Sequence, residues 1–268
     1  MNTVITQELV YRTVGDRSLK ALIFRPETPG PWPALLCLHG GAWISGDRTA
    51  TAYLGEKLAA TGIVVVSIDF RMAPKHRYPS SLLDVNFAIR WMKANAAAFD
   101  IDSGNIGGLG ISSGGHLILL AAMRPAYPTY ITDIPDELSR VDARLTRVIT
   151  CSGVLDPLAR YRMAQQAGYA EILACHRKYF GNEAAMEEGN PPRILERGEL
   201  VELPPLLMFQ GKADPRLPSD TAMRVADVYR AAGGIAEAHY YADMGHALSE
   251  WTPENQDDVV RKINVFMA

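Results

Sequence analysis

The 268-residue sequence has few cysteines, almost no excess of charge and no long apolar run. The three cysteines, Cys37, Cys151 and Cys175, are an odd number, and the first two lie in apolar runs, so we expect free core thiols rather than disulfides. A formal net charge of -3, with dispersed basic residues, argues against a nucleic-acid partner. No apolar stretch approaches the roughly 18 residues that span a bilayer, and the N-terminal residues show no signal pattern. We therefore predict a cytoplasmic protein with neither nucleic acid nor membrane as partner.

What the sequence does contain is 48% hydrophobic residues, arranged in short apolar runs between helical patterns. Alternating apolar and polar residues around Gly15 predict an antiparallel hairpin, with strands over residues 8–14 and 19–25. Short apolar runs predict further strands over residues 34–38, 64–68, 106–111, 148–151, 206–209 and 236–241. Apolar residues at three- and four-residue spacing predict helices over residues 50–60, 81–98, 113–123, 219–232 and 253–267.

The alternation of strands and helices indicates the α/β class, with a twisted, mostly parallel central sheet flanked by helices. We expect one domain that spans residues 1–268. Residues 155–203 are too many for an ordinary connection and carry a helical pattern over 158–179, so we interpret them as a small cap inserted above the sheet. In such a sheet, active groups lie in loops at the carboxyl ends of the strands.

Two adjacent serines lie at one such position, in the stretch Gly110-Ile111-Ser112-Ser113-Gly114. A nucleophile elbow follows the pattern G-x-S-x-G, because the strand-to-helix turn is too tight for side chains at the glycine positions. Ser112 fits this pattern, whereas centring it on Ser113 would put the branched Ile111 at the first glycine position. The sequence therefore predicts Ser112 as a nucleophile.

A serine nucleophile needs a histidine base that a carboxylate orients. Among six histidines, His246 follows the last predicted strand in a loop of small residues, and Asp214 follows the strand before it. The order Ser112, Asp214, His246 is the chain order of an α/β-hydrolase triad. Asp243 and Asp156 are rival acids that rank below Asp214. The other histidines, which we expect to have structural roles, are His39, His76, His116, His176 and His239.

The oxyanion that forms on nucleophilic attack needs backbone N–H donors. The glycines in HGGAW, residues 39–43, let backbone amides approach a ligand closely after the first central strand. The amide of Ser113 lies at the positive end of the helix that follows the elbow and is expected to be another donor. Such chemistry requires no metal ion and no organic cofactor.

Taken together, these motifs resemble the α/β-hydrolase fold family, in its hormone-sensitive-lipase-like branch of esterases and acetyl hydrolases. The resemblance rests on HGGAW with Gly46-Asp47 after it, SIDFRMAPKHRYPSSLLD at 67–84, GLGISSGGHL at 108–117, GKADPRLP at 211–218 and MGHAL at 244–248. It implies that the amides of Gly41 and Ala42 join that of Ser113 in the oxyanion hole. It also implies that Asp69 and Arg71 hold loops together.

The sequence departs from that family at two positions. Ile111 stands where the family has an aspartate and is expected to point away from the chemistry, and Ala42 replaces the third glycine but keeps its amide. The pattern GGxWxxGD and the GGHL after the serine look more like acetyl-xylan or feruloyl esterases and arylformamidases. The resemblance implies a serine carboxylesterase for small or short-chain esters.

The sequence is consistent with two alternative functions. An arylformamidase, or an acetyl-xylan or feruloyl esterase, would use the same residues on a different substrate. A hydrolase-fold protein that binds a ligand without turnover is an alternative of another class, although such a protein typically lacks a triad member. Exposed edge strands are compatible with a homodimer.

Overall fold

The computed structural model describes residues 2–268 and contains one eight-stranded sheet. The strands are β1 (Val4–Val14), β2 (Arg17–Pro26), β3 (Trp32–Leu38), β4 (Val64–Ile68), β5 (Ile101–Ile111), β6 (Val148–Cys151), β7 (Leu206–Gly211) and β8 (Ala236–Tyr241). Their spatial order is β1-β2-β4-β3-β5-β6-β7-β8. Each predicted strand is confirmed. The central strands β3, β4, β6 and β7 are almost entirely buried and show in the sequence as continuous apolar runs.

The sheet is mixed but mostly parallel. Strand β1 pairs antiparallel with β2, and β2 pairs antiparallel with β4, as expected for a hairpin added at one edge. All remaining neighbours are parallel. The carboxyl ends of β3, β5, β6, β7 and β8 therefore lie along one edge of the sheet, and the loops that leave them meet there.

Helices cover both faces of the sheet. They are α1 (Ala52–Ala60), α2 (Ser80–Ala94), α3 (Ser113–Met123), α4 (Asp136–Ser139), α5 (Pro157–Ala167), α6 (Ala170–Phe180), α7 (Glu183–Glu188), α8 (Pro191–Glu196), α9 (Thr221–Ala231) and α10 (Pro253–Met267). Short 3-10 helices lie at Arg48–Thr51, Ala96–Phe99, Pro128–Ile131 and Leu248–Glu250. Helices α1 and α10 pack on one face, and α2, α3 and α9 pack on the other, so two apolar cores flank the strands.

Two predicted helices have different ends in the structure. The helix predicted over 81–98 ends at Ala94, and the 3-10 turn Ala96–Phe99 follows it. The helix predicted over 50–60 begins as a 3-10 turn, and its regular α-helix starts at Ala52. In both cases the apolar pattern continues through a turn whose backbone hydrogen bonds are not α-helical, so periodicity alone does not locate the end.

The connection between β6 and β7 contains four helices, α5 to α8, rather than the single helix predicted over 158–179. Helix α5 ends at Gly168, which has a left-handed backbone (φ 72°), and α6 starts at Ala170. The prediction of one helix was wrong because the left-handed backbone at Gly168 ends the helical hydrogen bonding of α5. We refer to residues 155–203 as the β6–β7 insertion.

Ion pairs link the loops beyond the strands. Asp69 pairs with Arg48, and Arg71 pairs with Asp84 on α2, so both residues hold loops together as the resemblance implied, each with its own partner. Asp84 is fully buried and also pairs with Arg12 of β1. This cluster joins the edge hairpin to the helical layer.

The cysteine prediction is confirmed in the part of the chain that the structure describes. Cys37 and Cys151 are buried free thiols in β3 and β6, and Cys175 is a partly exposed free thiol on α6. Over residues 2–268, none of the helices combines the length and the apolar character that crossing a bilayer demands.

Candidate active site

The turn between β5 and α3 holds Ser112 in a sparsely populated backbone conformation (φ 52°, ψ −117°). The residues two positions before and two positions after Ser112 must be glycines for steric reasons. A Cβ added at Gly110 would lie 2.4 Å from the carbonyl oxygen of Gly114, and one added at Gly114 would lie 2.3 Å from that of Leu38. The turn therefore has the tight geometry of a nucleophile elbow, in which the serine side chain projects from the end of the sheet.

The structure brings together the three side chains selected from the sequence. Ser112 Oγ lies 2.8 Å from His246 Nε2, and His246 Nδ1 lies 2.7 Å from Asp214 Oδ2. The side chain of Asp214 is fully buried, and its Oδ1 accepts a hydrogen bond from the amide of Arg216 at 2.7 Å. A carboxylate can only accept at Nδ1, so the neutral ring carries its proton there and presents a free lone pair to the serine hydroxyl.

The rival residues lie elsewhere. Ser113 is fully buried, and its Oγ has no hydrogen-bond partner among residues 2–268. Asp156 caps α5 through the amide of Ala159 and forms an ion pair with Arg224. Asp243 is exposed at the surface. The geometry thus separates Ser112 and Asp214 from the alternatives that the sequence left open.

Two further histidines are buried beside the site and have structural surroundings. Nε2–H of His116 donates to the carbonyl oxygen of Gly189, and Nδ1–H of His176 donates to that of Ile172. Burial lowers the pKa of His116 to about 4 and the pKa of His176 to about 3. Both imidazoles are therefore neutral at physiological pH.

The loop after β3 bends back over the elbow. Gly41, Ala42 and Trp43 have positive φ angles of 110°, 53° and 63°, and the latter two are unusual for residues with a Cβ. The backbone N–H groups of Gly41, Ala42 and Ser113 donate to no backbone carbonyl within residues 2–268. These three amides are available to a ligand.

Trp43 fixes this loop against the β6–β7 insertion. Its buried indole stacks on Tyr179 of α6, with ring centroids 5.1 Å apart and planes 4° from parallel. It also contacts His116 and Phe180 edge to face. Sequence reasoning missed this role, because Tyr179 and Phe180 lie more than a hundred residues from Trp43 along the chain.

A cavity of about 320 Å³ opens in front of Ser112 and His246. Arg160 from α5, Cys175 from α6 and Arg216 from the loop after β7 line it, and the sequence analysis had assigned none of them to the site. Ile111 also borders this cavity, and it packs against the apolar core on the face of α1 and α10. That its side chain points away from the chemistry stays a prediction. A larger groove of about 1000 Å³ lies far from Ser112, where α1 and α10 meet the edge strand β1.

Comparison with known proteins places this arrangement in a family. The model of the family described as BD-FAE matches residues 22–228, which run from within β2 to within α9 and contain both the elbow and Asp214. The chain belongs to the BD-FAE family. Among the site residues of this BD-FAE protein, only His246 lies beyond the matched segment.

Curated relatives of this BD-FAE protein are esterases by name. Esterase LipC of Mycobacterium tuberculosis is 32% identical over 204 residues, which cover 75% of this chain and 49% of LipC. Esterase LipQ of the same organism is 26% identical over 246 residues, covering 90% of this chain and 56% of LipQ. The chain therefore spans about half the length of these relatives.

Solved structures similar to this BD-FAE protein share its α/β fold. Esterase Est2 of Thermogutta terrifontis with bound propionate superposes with a TM-score of 0.77 at 23% identity, covering 98% of this chain and 93% of that one. Esterase 2 of the same organism, phosphonylated by sarin, gives a TM-score of 0.80 at 22% identity, with 98% and 94% coverage. At this identity the likeness establishes the fold, an α/β sheet flanked by helices.

Proposed function

We propose that the protein is a serine carboxylesterase that hydrolyses small or short-chain carboxylic esters through an acyl-enzyme intermediate. The observation that carries the proposal is the continuous hydrogen-bonded series from Ser112 Oγ through the His246 ring to the buried Asp214 carboxylate. Membership of the BD-FAE family and the esterase names of the curated relatives support it. The Est2 structures, which have propionate or butyrate bound, support a short acyl group.

In the proposed mechanism His246 Nε2 removes the Ser112 proton as Oγ attacks the ester carbonyl carbon. Asp214 stabilises the imidazolium that forms. The protonated ring then gives its proton to the leaving alcohol, and the acyl group stays on Ser112. Water, deprotonated by the same nitrogen, releases the carboxylic acid and restores the serine. No metal ion or organic cofactor takes part.

The proposed oxyanion hole consists of the amides of Gly41, Ala42 and Ser113. Each is a backbone donor already held in place, so it needs no reorganisation when negative charge develops on the carbonyl oxygen. Loss of one such donor typically lowers the rate about a hundredfold to a thousandfold. The packing of Trp43 on Tyr179 is thus expected to matter for rate as well as for stability.

The first test separates the two adjacent serines. We expect Ser112→Ala to abolish hydrolysis of p-nitrophenyl acetate, whereas Ser113→Ala keeps its backbone donor and retains much of the activity. Paraoxon labelling with mass spectrometry gives a second readout, and fragmentation of the peptide that holds both serines is expected to locate the diethyl phosphoryl group on Ser112. Loss of activity in Ser113→Ala alone, or labelling at a different residue, would overturn the assignment.

Two other readings of the same site make different predictions. An arylformamidase would hydrolyse N-formyl-kynurenine, and an acetyl-xylan or feruloyl esterase would deacylate those polysaccharide or phenolic esters, each in preference to simple alkyl esters. A ligand-binding protein without turnover would bind esters and leave them intact. A panel of these compounds, assayed with wild type and Ser112→Ala, decides among them. We also propose that the protein belongs to the hormone-sensitive-lipase-like branch of esterases, on the basis of the motifs HGGAW and GLGISSGGHL.

The organisation of the protein is also a proposal. We infer one domain over residues 1–268, with residues 155–203 as a small cap over the site, because α5 and α6 contribute Arg160 and Cys175 to the cavity. We further propose a cytoplasmic protein. The outer strands β1 and β8 each have one unpaired edge, which is compatible with a homodimer. Analytical ultracentrifugation tests the dimer directly.

A further inference from the structure

The cavity at Ser112 is positively charged. Arg160 and Arg216 line it, whereas none of the lining residues is an aspartate or a glutamate. A second cavity of about 530 Å³ adjoins it and shares Ala42, Arg160, Cys175 and Arg216 with it. The one acidic residue that lines this second cavity is Glu171, which is exposed at the start of α6. The two arginines therefore lie at the boundary between the two cavities.

Arg160 is buried without the partners that a buried guanidinium requires. Its exposed fraction is 4%, and its Nε–H donates to the carbonyl oxygen of Arg216 at 2.9 Å. Its Nη1 is buried and has no hydrogen-bond partner within residues 2–268. Burial lowers the pKa of Arg160 to about 10, which still leaves the group protonated at neutral pH. A buried cation in this state lacks compensation for the water it has lost.

Other buried arginines of the protein are compensated. Arg12 pairs with Asp84 at 2.8 Å, and Arg124 pairs with Glu188 at 2.6 Å. Arg90 donates to the side-chain oxygen of Asn86 and to backbone carbonyls. Arg25 and Arg193 also have a buried Nε without a hydrogen-bond partner among residues 2–268, but each of them pairs with a carboxylate. Arg160 forms no such ion pair in the part of the chain that the structure describes.

The nearest negative charge does not neutralise the pair. Asp214 is close enough to influence Arg160, but its two carboxylate oxygens are already occupied, by His246 Nδ1 and by the amide of Arg216. The Arg216 side chain is exposed and forms no salt bridge in the part of the chain that the structure describes. Both guanidinium groups are therefore free to bind an anion, for which their planar set of donors is well suited.

We propose that Arg160 and Arg216 bind an anionic group of the substrate, so that the esters cleaved at Ser112 carry a carboxylate or a phosphate. The inference rests on the proposed esterase function and names its substrate class. A charge-assisted hydrogen bond from a buried arginine discriminates between an anionic ester and its neutral isostere, because the neutral compound leaves the cation unpaired. Arg160 and Arg216 would then be specificity-determining residues.

The test compares matched esters. Three acetate esters carry the varied group on the leaving phenol: 4-acetoxybenzoate, 4-acetoxyphenyl phosphate and the neutral 4-acetoxybenzamide. Two methyl esters carry the varied group on the acyl chain: monomethyl glutarate, which ends in a carboxylate, and the neutral methyl pentanoate. We expect kcat/KM of at least one anionic ester to exceed that of its neutral counterpart about tenfold or more. The relative rates of the carboxylate and phosphate compounds then identify which anion the site accepts.

Substitution of the arginines assigns the preference to them. Arg160→Gln and Arg216→Gln are each expected to lower the ratio of anionic to neutral kcat/KM about tenfold. Arg162→Gln is the matched control, since Arg162 lies on the same helix, is exposed and lines neither cavity. If Arg160→Gln does not fold, the exposed Arg216→Gln and Arg216→Glu decide the question, and the charge reversal should lower the ratio further.

Two results would overturn the inference. One is wild-type hydrolysis of the neutral esters with kcat/KM equal to or above that of every anionic partner. The other is an unchanged ratio in both Arg216 variants. In either case Ser112-dependent hydrolysis of neutral esters would leave the proposed function standing. If the wild type cleaves p-nitrophenyl acetate but none of the five esters, the inference alone fails. If it cleaves none of the six compounds, the proposed function fails as well.

Discussion

His116 and His176 show how strongly one residue's surroundings can change its chemistry. Both rings lie against the buried Trp43, and burial holds both pKa values well below that of an ordinary histidine. The unfolded chain takes up protons on these residues below about pH 6.5, whereas the folded chain does not until about pH 4 or lower. Acid therefore favours the unfolded state.

A prediction about pH dependence follows with a definite sign. Because the unfolded state binds more protons below pH 6.5, the free energy of unfolding falls as pH falls, by about 2 kcal/mol per histidine from pH 7 to pH 5. We expect His176→Phe to reduce this fall by about 2 kcal/mol. Urea denaturation of both proteins at the two pH values measures it. Equal falls in wild type and variant would contradict a neutral buried His176.

At the scale of the element, the break between α5 and α6 positions the cavity. Arg160 lies on α5 and Cys175 on α6, and both reach the cavity because the chain turns at Gly168 instead of continuing as one helix. A single helix over 158–179 would carry Cys175 some 20 Å along its axis from Arg160, at about 1.5 Å per residue. The turn brings the two residues to the same wall.

Substitution of Gly168 tests this turn. A Cβ there meets no atom within 4 Å, so the cost of a side chain is confined to the left-handed backbone. We expect Gly168→Ala to lower the free energy of unfolding by about 1 kcal/mol, and Gly168→Asn to lower it less, because asparagine tolerates that conformation. Urea titration measures both. Equal stability of wild type and Gly168→Ala would argue against a left-handed residue at this position.

At the scale of the whole molecule, Asp84 joins three parts of the fold. It lies on α2 with no exposed surface, and it accepts from Arg12 of the edge hairpin and from both the amide and the side chain of Arg71. Arg12 also pairs with Asp133, beyond α3. The hairpin, the loop after β4 and the helical layer thus share one buried carboxylate.

Removal of this carboxylate is expected to affect the entire domain. Asp84→Ala removes the buried partner of Arg12 and Arg71 and leaves them only the exposed Asp133. We expect it to lower the free energy of unfolding by about 3 to 5 kcal/mol. The control is Asp257→Ala, which removes the exposed pair with Lys57 and should cost about 1 kcal/mol or less. Thermal or urea denaturation compares them. Similar losses for the two variants would contradict the role of Asp84.

The sequence by itself determined the α/β class, the order of strands and helices and the candidates Ser112, Asp214 and His246. It could do so because these features have local causes: buried parallel strands are continuous apolar runs, and the elbow requires Gly110 and Gly114 beside the serine. The glycine pattern favoured Ser112 over Ser113, and the structure adds that Ser113 Oγ is buried without a partner among residues 2–268 and that Asp156 caps α5.

Only the tertiary structure decided which distant side chains surround the serine. Trp43 meets Tyr179, and Arg160 meets the loop of Arg216, across separations along the chain that no periodic pattern records. The break at Gly168 also lies within a helical pattern that continues across it. Such features depend on how elements pack against one another, and packing is a property of the folded chain that its local sequence does not encode.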